Sequence, residues 1–148
     1  MGQLALPAAG LVYLDTDALI YSVEKIVPYA ALLQPLWDAA AQRTFQVISS
    51  DLALLEVLVK PLQLGDTVLV QLYRDLLTAS QETRLIPISR AVIEAAARLR
   101  ATTGIKTPDA IHAASALGEG VALFVSNDPV YRRIPGLPVT ILDDLLTP

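Results

Sequence analysis

The sequence predicts an α/β domain over residues 1–148: three layers, α/β/α, around a central and mostly parallel sheet. Three observations lead there. Short apolar runs rich in strand formers alternate with longer segments of helical periodicity, the pattern of βαβ units. The chain has 148 residues, a length that suits one domain, since domains typically hold roughly 100–200. It is 53% hydrophobic and only 18% charged, so it can bury enough apolar surface to offset the entropy of ordering. No linker, low-complexity segment or internal repeat interrupts it.

Taken in order, LVYLD at 11–15 is a compact apolar run and predicts a buried strand. A short helix follows over about 17–24, with Asp17 at its N-cap. A second helix covers 29–43, with Pro28 in the first-turn position and Pro35 as a kink. FQVIS at 45–49 is the next strand, after which Ser50 and Asp51 cap a helix that Pro61 interrupts near Lys60. Asp66 caps a helix over 67–80, where Val68, Leu69, Leu72, Tyr73 and Leu76 recur at helical spacing. RLIPI at 84–88 is a short strand whose Pro87 indicates an edge or an early end. Ser89 caps an Ala-rich helix over 90–101 that Gly104 stops. Thr107 at N-cap, Pro108 at N1 and Asp109 in the first turn start a helix running to about Leu117, ended by Gly118 to Gly120. VALFV at 121–125 and PVTIL at 138–142 complete the strands.

Composition narrows the chemistry. With no cysteine, disulfide scaffolds and thiolate metal sites are excluded, and a single His112 excludes a site built on several histidines. Eleven Lys and Arg against 15 Asp and Glu leave a net charge of −4, and the pI of 4.8 argues against a general nucleic-acid coat. It does not exclude a nuclease whose acids hold metal. The first ten residues lack a basic segment before an apolar core, and charge breaks every apolar run short of the roughly 18 residues that span a bilayer. A cytoplasmic, membrane-free protein is the expectation. The mean hydropathy of +0.50 suggests apolar surface covered by a partner.

Four carboxylates stand where packing does not require them. Asp15 closes the first strand, Glu56 interrupts LALLEVLV, Asp109 opens PDAIHAASAL, and Asp128 follows the strand VALFV. In an open parallel sheet, ligands bind outside the carboxyl ends of the strands. Asp15 and Asp128 lie just past such ends, Asp109 opens a helix, and Glu56 sits early on a helix that follows a strand. All four can meet on one rim, where like charges need a positive partner. Without His or Cys clusters, that partner is a hard divalent cation such as Mg²⁺ or Mn²⁺. Singly, Asp109 can serve the helix dipole, Asp128 a turn and Asp15 a strand end. Glu56 is hardest to explain that way, because an unpaired charge among apolar neighbours is costly.

At these residues the sequence resembles the PIN-domain ribonucleases, in particular the VapC-like toxins of toxin–antitoxin pairs. Leu14-Asp15-Thr16-Asp17-Ala18-Leu19-Ile20-Tyr21 resembles the family's first motif, Ser50 through Glu56 its second, and Thr107-Pro108-Asp109-Ala110-Ile111-His112-Ala113-Ala114 its third. Phe124-Val125-Ser126-Asn127-Asp128 resembles the fourth, and Arg132 to Leu137 the usual approach to a last strand. The resemblance implies one PIN domain over 1–148. It implies a metal-dependent endoribonuclease with Asp15, Glu56, Asp109 and Asp128 as the catalytic and metal-binding set, and Thr16, Ser126 and Asn127 in support. It further implies an RNA substrate, a homodimer and a small antitoxin. Asp17 stands where the family often has Asn or Ser.

Among the basic residues, Arg132, Arg133 and Lys106 are candidates to track an RNA backbone by neutralising phosphates, whereas Arg98 and Arg100 fit a solvated helix face. His112, one turn after Asp109, fits a satisfied imidazole in the core more than a ligand. Trp37 and Tyr73 lie in apolar stripes and fit core or dimer contact. Two rival functions remain. VYLDTDAL also fits the Asp-x-Asp opening of haloacid-dehalogenase-type phosphatases, with Asp15 as nucleophile, Asp17 as acid/base and Asp143-Asp144 as a late acidic pair. A non-catalytic PIN-like binding module is the other.

Overall fold

Five short strands form one sheet in which every neighbouring pair is parallel. The computed structural model describes residues 2–147. The strands are β1 (Leu11–Leu14), β2 (Gln46–Ser50), β3 (Thr83–Ile86), β4 (Leu123–Ser126) and β5 (Val139–Ile141). Their spatial order is β3-β2-β1-β4-β5. The chain builds outward from β1 to β3, then crosses over to place β4 on the other side of β1. The switch point therefore lies between β1 and β4, and beyond their carboxyl ends is the place where open α/β sheets bind ligands.

Among the described residues six helices cover the sheet: α1 (Thr16–Val23), α2 (Tyr29–Ala41), α3 (Asp51–Leu64), α4 (Thr67–Arg74), α5 (Arg90–Thr103) and α6 (Thr107–Glu119). Successive strand side chains point to opposite faces, and the sequence uses both. Val12, Leu14, Val47, Leu123 and Val125 join one core with Leu19, Leu33, Leu36, Val57 and Tyr73 of α1 to α4. Tyr13, Ile48 and Phe124 join the other with Ala96 of α5 and Ala110, Ala113 and Ala114 of α6. Two apolar faces on β1, β2 and β4 explain their continuous apolar runs, and the result is the three-layer α/β/α arrangement expected.

Several boundaries differ from the expectation. Strand β1 stops at Leu14, and Asp15, with extended backbone, takes the N-cap position of α1. Asp17 therefore lies inside the first turn and does not cap the helix. Pro61 does not end α3, whose last turn runs on to Leu64. The Pro61 ring is buried, the amides of Gly65 and Asp66 bond to the carbonyls of Leu62 and Pro61, and Gly65 at φ +66° closes the helix. Helix α2 passes through Pro35 as one element. Helix α4 widens into a π-helical turn at Asp75–Ala79. Lys106 occupies the N-cap of α6, one residue before Thr107, and α6 runs past Gly118 to stop at Gly120. Strand β4 starts at Leu123, two residues later than expected. Strand β3 is an edge, in keeping with Pro87. Among the described residues, no helix is long and apolar enough to cross a membrane.

Candidate functional site

Asp15 sits at the switch point because β1 ends there and α1 begins. Only 7% of it is exposed, and its carboxylate is held by two hydroxyls. Ser126, at the end of the neighbouring β4, donates to Oδ2 at 2.8 Å. The same Ser126 Oγ accepts the Asp128 amide at 3.0 Å, so it ties the strand end to the acid. The Tyr131 hydroxyl reaches Asp15 Oδ1 at 3.3 Å.

Tyr131 also reaches Asp109 Oδ1 at 3.3 Å. It is fully buried in the 3₁₀ turn Pro129–Arg133 that follows β4. Its phenol thus bridges the strand-end acid and the helix-start acid. Burial, then the charges of Asp15 and Asp109, push the phenol far above its usual range and keep the bridging proton in place. Half-buried Asp109 is itself pushed up, by burial and by the charges of Asp128 and Asp15, against the bond from Tyr131.

Glu56, on α3, is joined to the rim through His112 of α6. His112 is buried; its Nε2 meets Glu56 Oε1 at 2.7 Å and lies 3.6 Å from Asp15 Oδ1. Its Nδ1 meets the Tyr13 hydroxyl at 2.6 Å. Thr16 donates a second bond to Glu56 Oε1 at 2.8 Å. Burial would lower the imidazole pKa, yet the bond to Glu56 and the charges of Asp15, Glu56 and Asp109 raise it above its ordinary value. For Glu56, burial acts upward, and the bonds from His112 and Thr16 hold the carboxyl below its ordinary value. The expectation that Glu56 needs a partner is met by a residue the sequence left outside the candidate set.

Asp17 is enclosed. Its Oδ2 accepts the Asn127 amide at 2.8 Å and the Ser126 hydroxyl at 3.3 Å, while Oδ1 is buried with no partner among the described residues. Burial first and the Asp15 charge second push it up to about 7. Asp128 lies exposed on the rim and its Oδ1 accepts the Val130 amide at 3.0 Å. The Asn127 side chain points to neighbours of the rim: Oδ1 accepts the Asp143 amide at 2.8 Å, and Nδ2 donates to the Tyr21 hydroxyl at 3.3 Å. Asp143 also accepts from Tyr29, and Asp144 pairs with Arg132.

The basic candidates separate. Arg132 is taken up in that exposed pair with Asp144, whereas Arg133 and Lys106 are exposed with no ion pair among the described residues. Arg100 donates to the Ile105 carbonyl at 3.0 Å and so braces the turn between α5 and α6. Trp37 and Tyr73 serve packing. Trp37 donates to Ser22 Oγ at 2.8 Å, and fully buried Tyr73 bonds to Glu24.

The sequence reading missed Tyr131 altogether. Its only signal is its place three residues past Asp128, since its two acceptors are 116 and 22 residues away.

These side chains offer oxygen donors and surplus negative charge, which suits a hard divalent cation. The unpartnered, buried Asp17 Oδ1, sharing Ser126 with Asp15, is an oxygen that a nearby cation would compensate. Among the described residues, no three acidic or imidazole groups form a ready cage. The fit is one of donor chemistry and charge.

A family model described as PIN domain matches residues 12–137. Several solved structures share the fold. VapBC2 from Rickettsia felis, bound to a DNA fragment from their promoter, is 17% identical with a TM-score of 0.67, covering 88% of this chain and 98% of that one. A toxin–antitoxin complex from Klebsiella pneumoniae is 22% identical with a TM-score of 0.65, covering 88% and 97%. VapBC-5 from Mycobacterium tuberculosis, a member of the VapBC family of toxin–antitoxin systems, is 22% identical with a TM-score of 0.54, covering 91% and 98%. At these identities the likeness is one of fold. No curated protein matches the chain.

Proposed function

The chain belongs to the PIN-domain family, and from that premise we propose that it is a metal-dependent endoribonuclease, the VapC-like toxin of a toxin–antitoxin pair. One observation carries the reading. At the β1/β4 switch point a buried phenol joins Asp15 to Asp109, with Glu56 linked from one side and Asp128 on the open rim.

Asp15, Glu56, Asp109 and Asp128 would hold Mg²⁺ or Mn²⁺. When bound, such an ion supplies Lewis acidity towards a phosphoryl oxygen and eases deprotonation of the attacking water. Ser126 and Tyr131 keep the Asp15 carboxylate in one orientation, and Thr16 does the same for Glu56. Asp128 engages one oxygen with the Val130 amide and has capacity left to orient water. Arg133 and Lys106 are exposed beside the rim acids in sequence and would neutralise phosphates of the RNA; Arg132 would do so in competition with Asp144. Asn127 contributes its backbone amide to Asp17 and so shapes the floor of the rim.

A cytoplasmic toxin needs an antitoxin, and the structures that share the fold include a toxin–antitoxin complex and a member of a toxin–antitoxin family. Leu55, Val59 and Leu62 on α3 and Val68 and Leu72 on α4 remain exposed, which supports partner contact, with an antitoxin and with a second copy in a homodimer. The phosphatase reading leaves Glu56, with its bonds to His112 and Thr16, without a task. The binding-module reading offers no reason to gather this much negative charge. Induced expression should arrest growth, Asp15→Asn should relieve the arrest, and a small protein encoded next to this gene should do likewise. Equal arrest by Asp15→Asn would sink the assignment.

A further inference from the structure

We infer that His112 is a positioning residue that presents Glu56 to the acidic rim, acting through a buried chain from Tyr13. The inference rests on the metal-dependent reading above and assigns a task to the one imidazole of the protein.

The chain of contacts starts in the core. Tyr13 lies on the central strand, fully buried, with its ring stacked on Phe124 at 4.9 Å and 5° between planes. Its hydroxyl is thereby a fixed point, 2.6 Å from His112 Nδ1. The other ring nitrogen meets Glu56 Oε1 at 2.7 Å. An ionised carboxylate only accepts, so Nε2 carries a proton; the Tyr13 hydroxyl donates to Nδ1 when the ring is neutral and accepts from it when the ring is charged. Thr16, next to Asp15, donates to the same Oε1. Oε1 thus receives two internal donors, while Oε2 receives none among the described residues. Side-chain exposure rises along the chain, from 2% at His112 to 30% at Glu56.

A core histidine satisfied by chance partners would not need this direction. Here the same ring edge faces two rim acids, Glu56 at 2.7 Å and Asp15 at 3.6 Å, brought from positions 56 and 97 residues away in the chain. His112 also follows Asp109 by three residues, so both stand on one face of α6. Glu has three rotatable torsions, and an unheld Glu56 on α3 would sweep several rotamers. With Oε1 fixed from two sides, Oε2 is the oxygen left for a ligand. Groups that orient a ligating side chain typically change metal affinity by about 10–100-fold when removed.

Two amides separate positioning from packing. The amide of Asn lies where Nδ1 lies and can keep Tyr13 satisfied, whereas that of Gln reaches the place of Nε2 and can donate to Glu56. Isothermal titration of the full chain with Mn²⁺ reads the difference. His112→Asn is expected to bind Mn²⁺ about tenfold more weakly than the unmodified protein, and His112→Gln to regain most of the loss. In a Glu56→Gln background, His112→Asn should change the affinity no further, since the cycle isolates the coupling. Unaltered affinity in His112→Asn, or the same loss with Glu56 already changed, overturns the inference and leaves the metal reading standing. Absence of Mn²⁺ binding by the unmodified protein overturns both. Should His112→Asn fail to fold, Tyr13→Phe carries the test: it keeps the stack on Phe124, and unaltered Mn²⁺ affinity there overturns the inference equally.

Discussion

Replacing Tyr131 by Phe removes one oxygen and leaves the ring, including its contact with Phe124 at 4.6 Å between centroids. The loss falls on two carboxylates, Asp15 and Asp109, each 3.3 Å from the hydroxyl. One phenolic proton serves both, so one hydrogen bond to a charged group is removed, worth about 1.5–3 kcal/mol net. Two long contacts place the effect at the low end, about 1.5 kcal/mol. For a chain of this size a change of 1 kcal/mol moves Tm by roughly 2–4 °C, so Tyr131→Phe should lower Tm by about 3–6 °C in the metal-free protein. The hydroxyl matters because it spaces two like charges. Saturating Mn²⁺, by taking over that task, should narrow the difference. Thermal unfolding followed by circular dichroism, with EDTA and with Mn²⁺, reads both effects. An unchanged Tm, or an equal drop under both conditions, would refute the view that Tyr131 holds the two acids together.

Asp17 gives the metal-free protein a pH dependence. Its pKa rises from 3.8 unfolded to about 7 folded, so its contribution to stability is present below the unfolded value and is lost as pH rises through the folded one. Tm should fall as pH rises from about 4 to about 7 and level off above, and Asp17→Asn, which cannot ionise, should flatten that fall; an identical slope in the variant would contradict the assignment. Lys25 follows α1 at φ +56°, a left-handed conformation that costs a side-chain-bearing residue roughly 1–2 kcal/mol. Lys25→Gly should therefore raise Tm by a few degrees, as differential scanning calorimetry would record, and a lower Tm would count against it. Ser126→Ala deprives Asp15 of its shortest bond and leaves the Asp128 amide without its acceptor. A loss of about 1–3 kcal/mol in denaturant unfolding is expected, and a loss under half that would show the serine to be replaceable.

What could be read from the chain and what could not follow one physical division. Features written in local order were legible. The strand LVYLD, the apolar run before Ser126 and the capped start at Pro108-Asp109 each carry their signal within a few residues, and the parallel α/β class follows from their alternation. The acids at strand ends were legible because a charge at the tip of an apolar run is unusual wherever it points. Asp17 was misjudged as a cap because two acids flank Thr16, and only the backbone at Asp15 decides between them. Pro61 misled because its burial is a tertiary fact: the proline penalty is local, the compensation is not. His112 and Tyr131 were out of reach for the same reason. Their partners lie 99 and 116 residues away at Tyr13 and Asp15, and closeness in sequence to Asp109 and Asp128 does not by itself distinguish a core ring from one that orders a site.

Cleavage of a fluorescently labelled RNA by the purified full chain, with Mn²⁺ or Mg²⁺ and with EDTA, compared between the unmodified protein and Asp109→Asn, tests the acidic rim most directly. The account predicts cleavage that requires the cation, stops with EDTA and falls by at least about a hundredfold in Asp109→Asn, the order of effect of losing one group that stabilises a transition state. Cleavage that persists in EDTA, or that Asp109→Asn sustains at the unmodified rate, would contradict it.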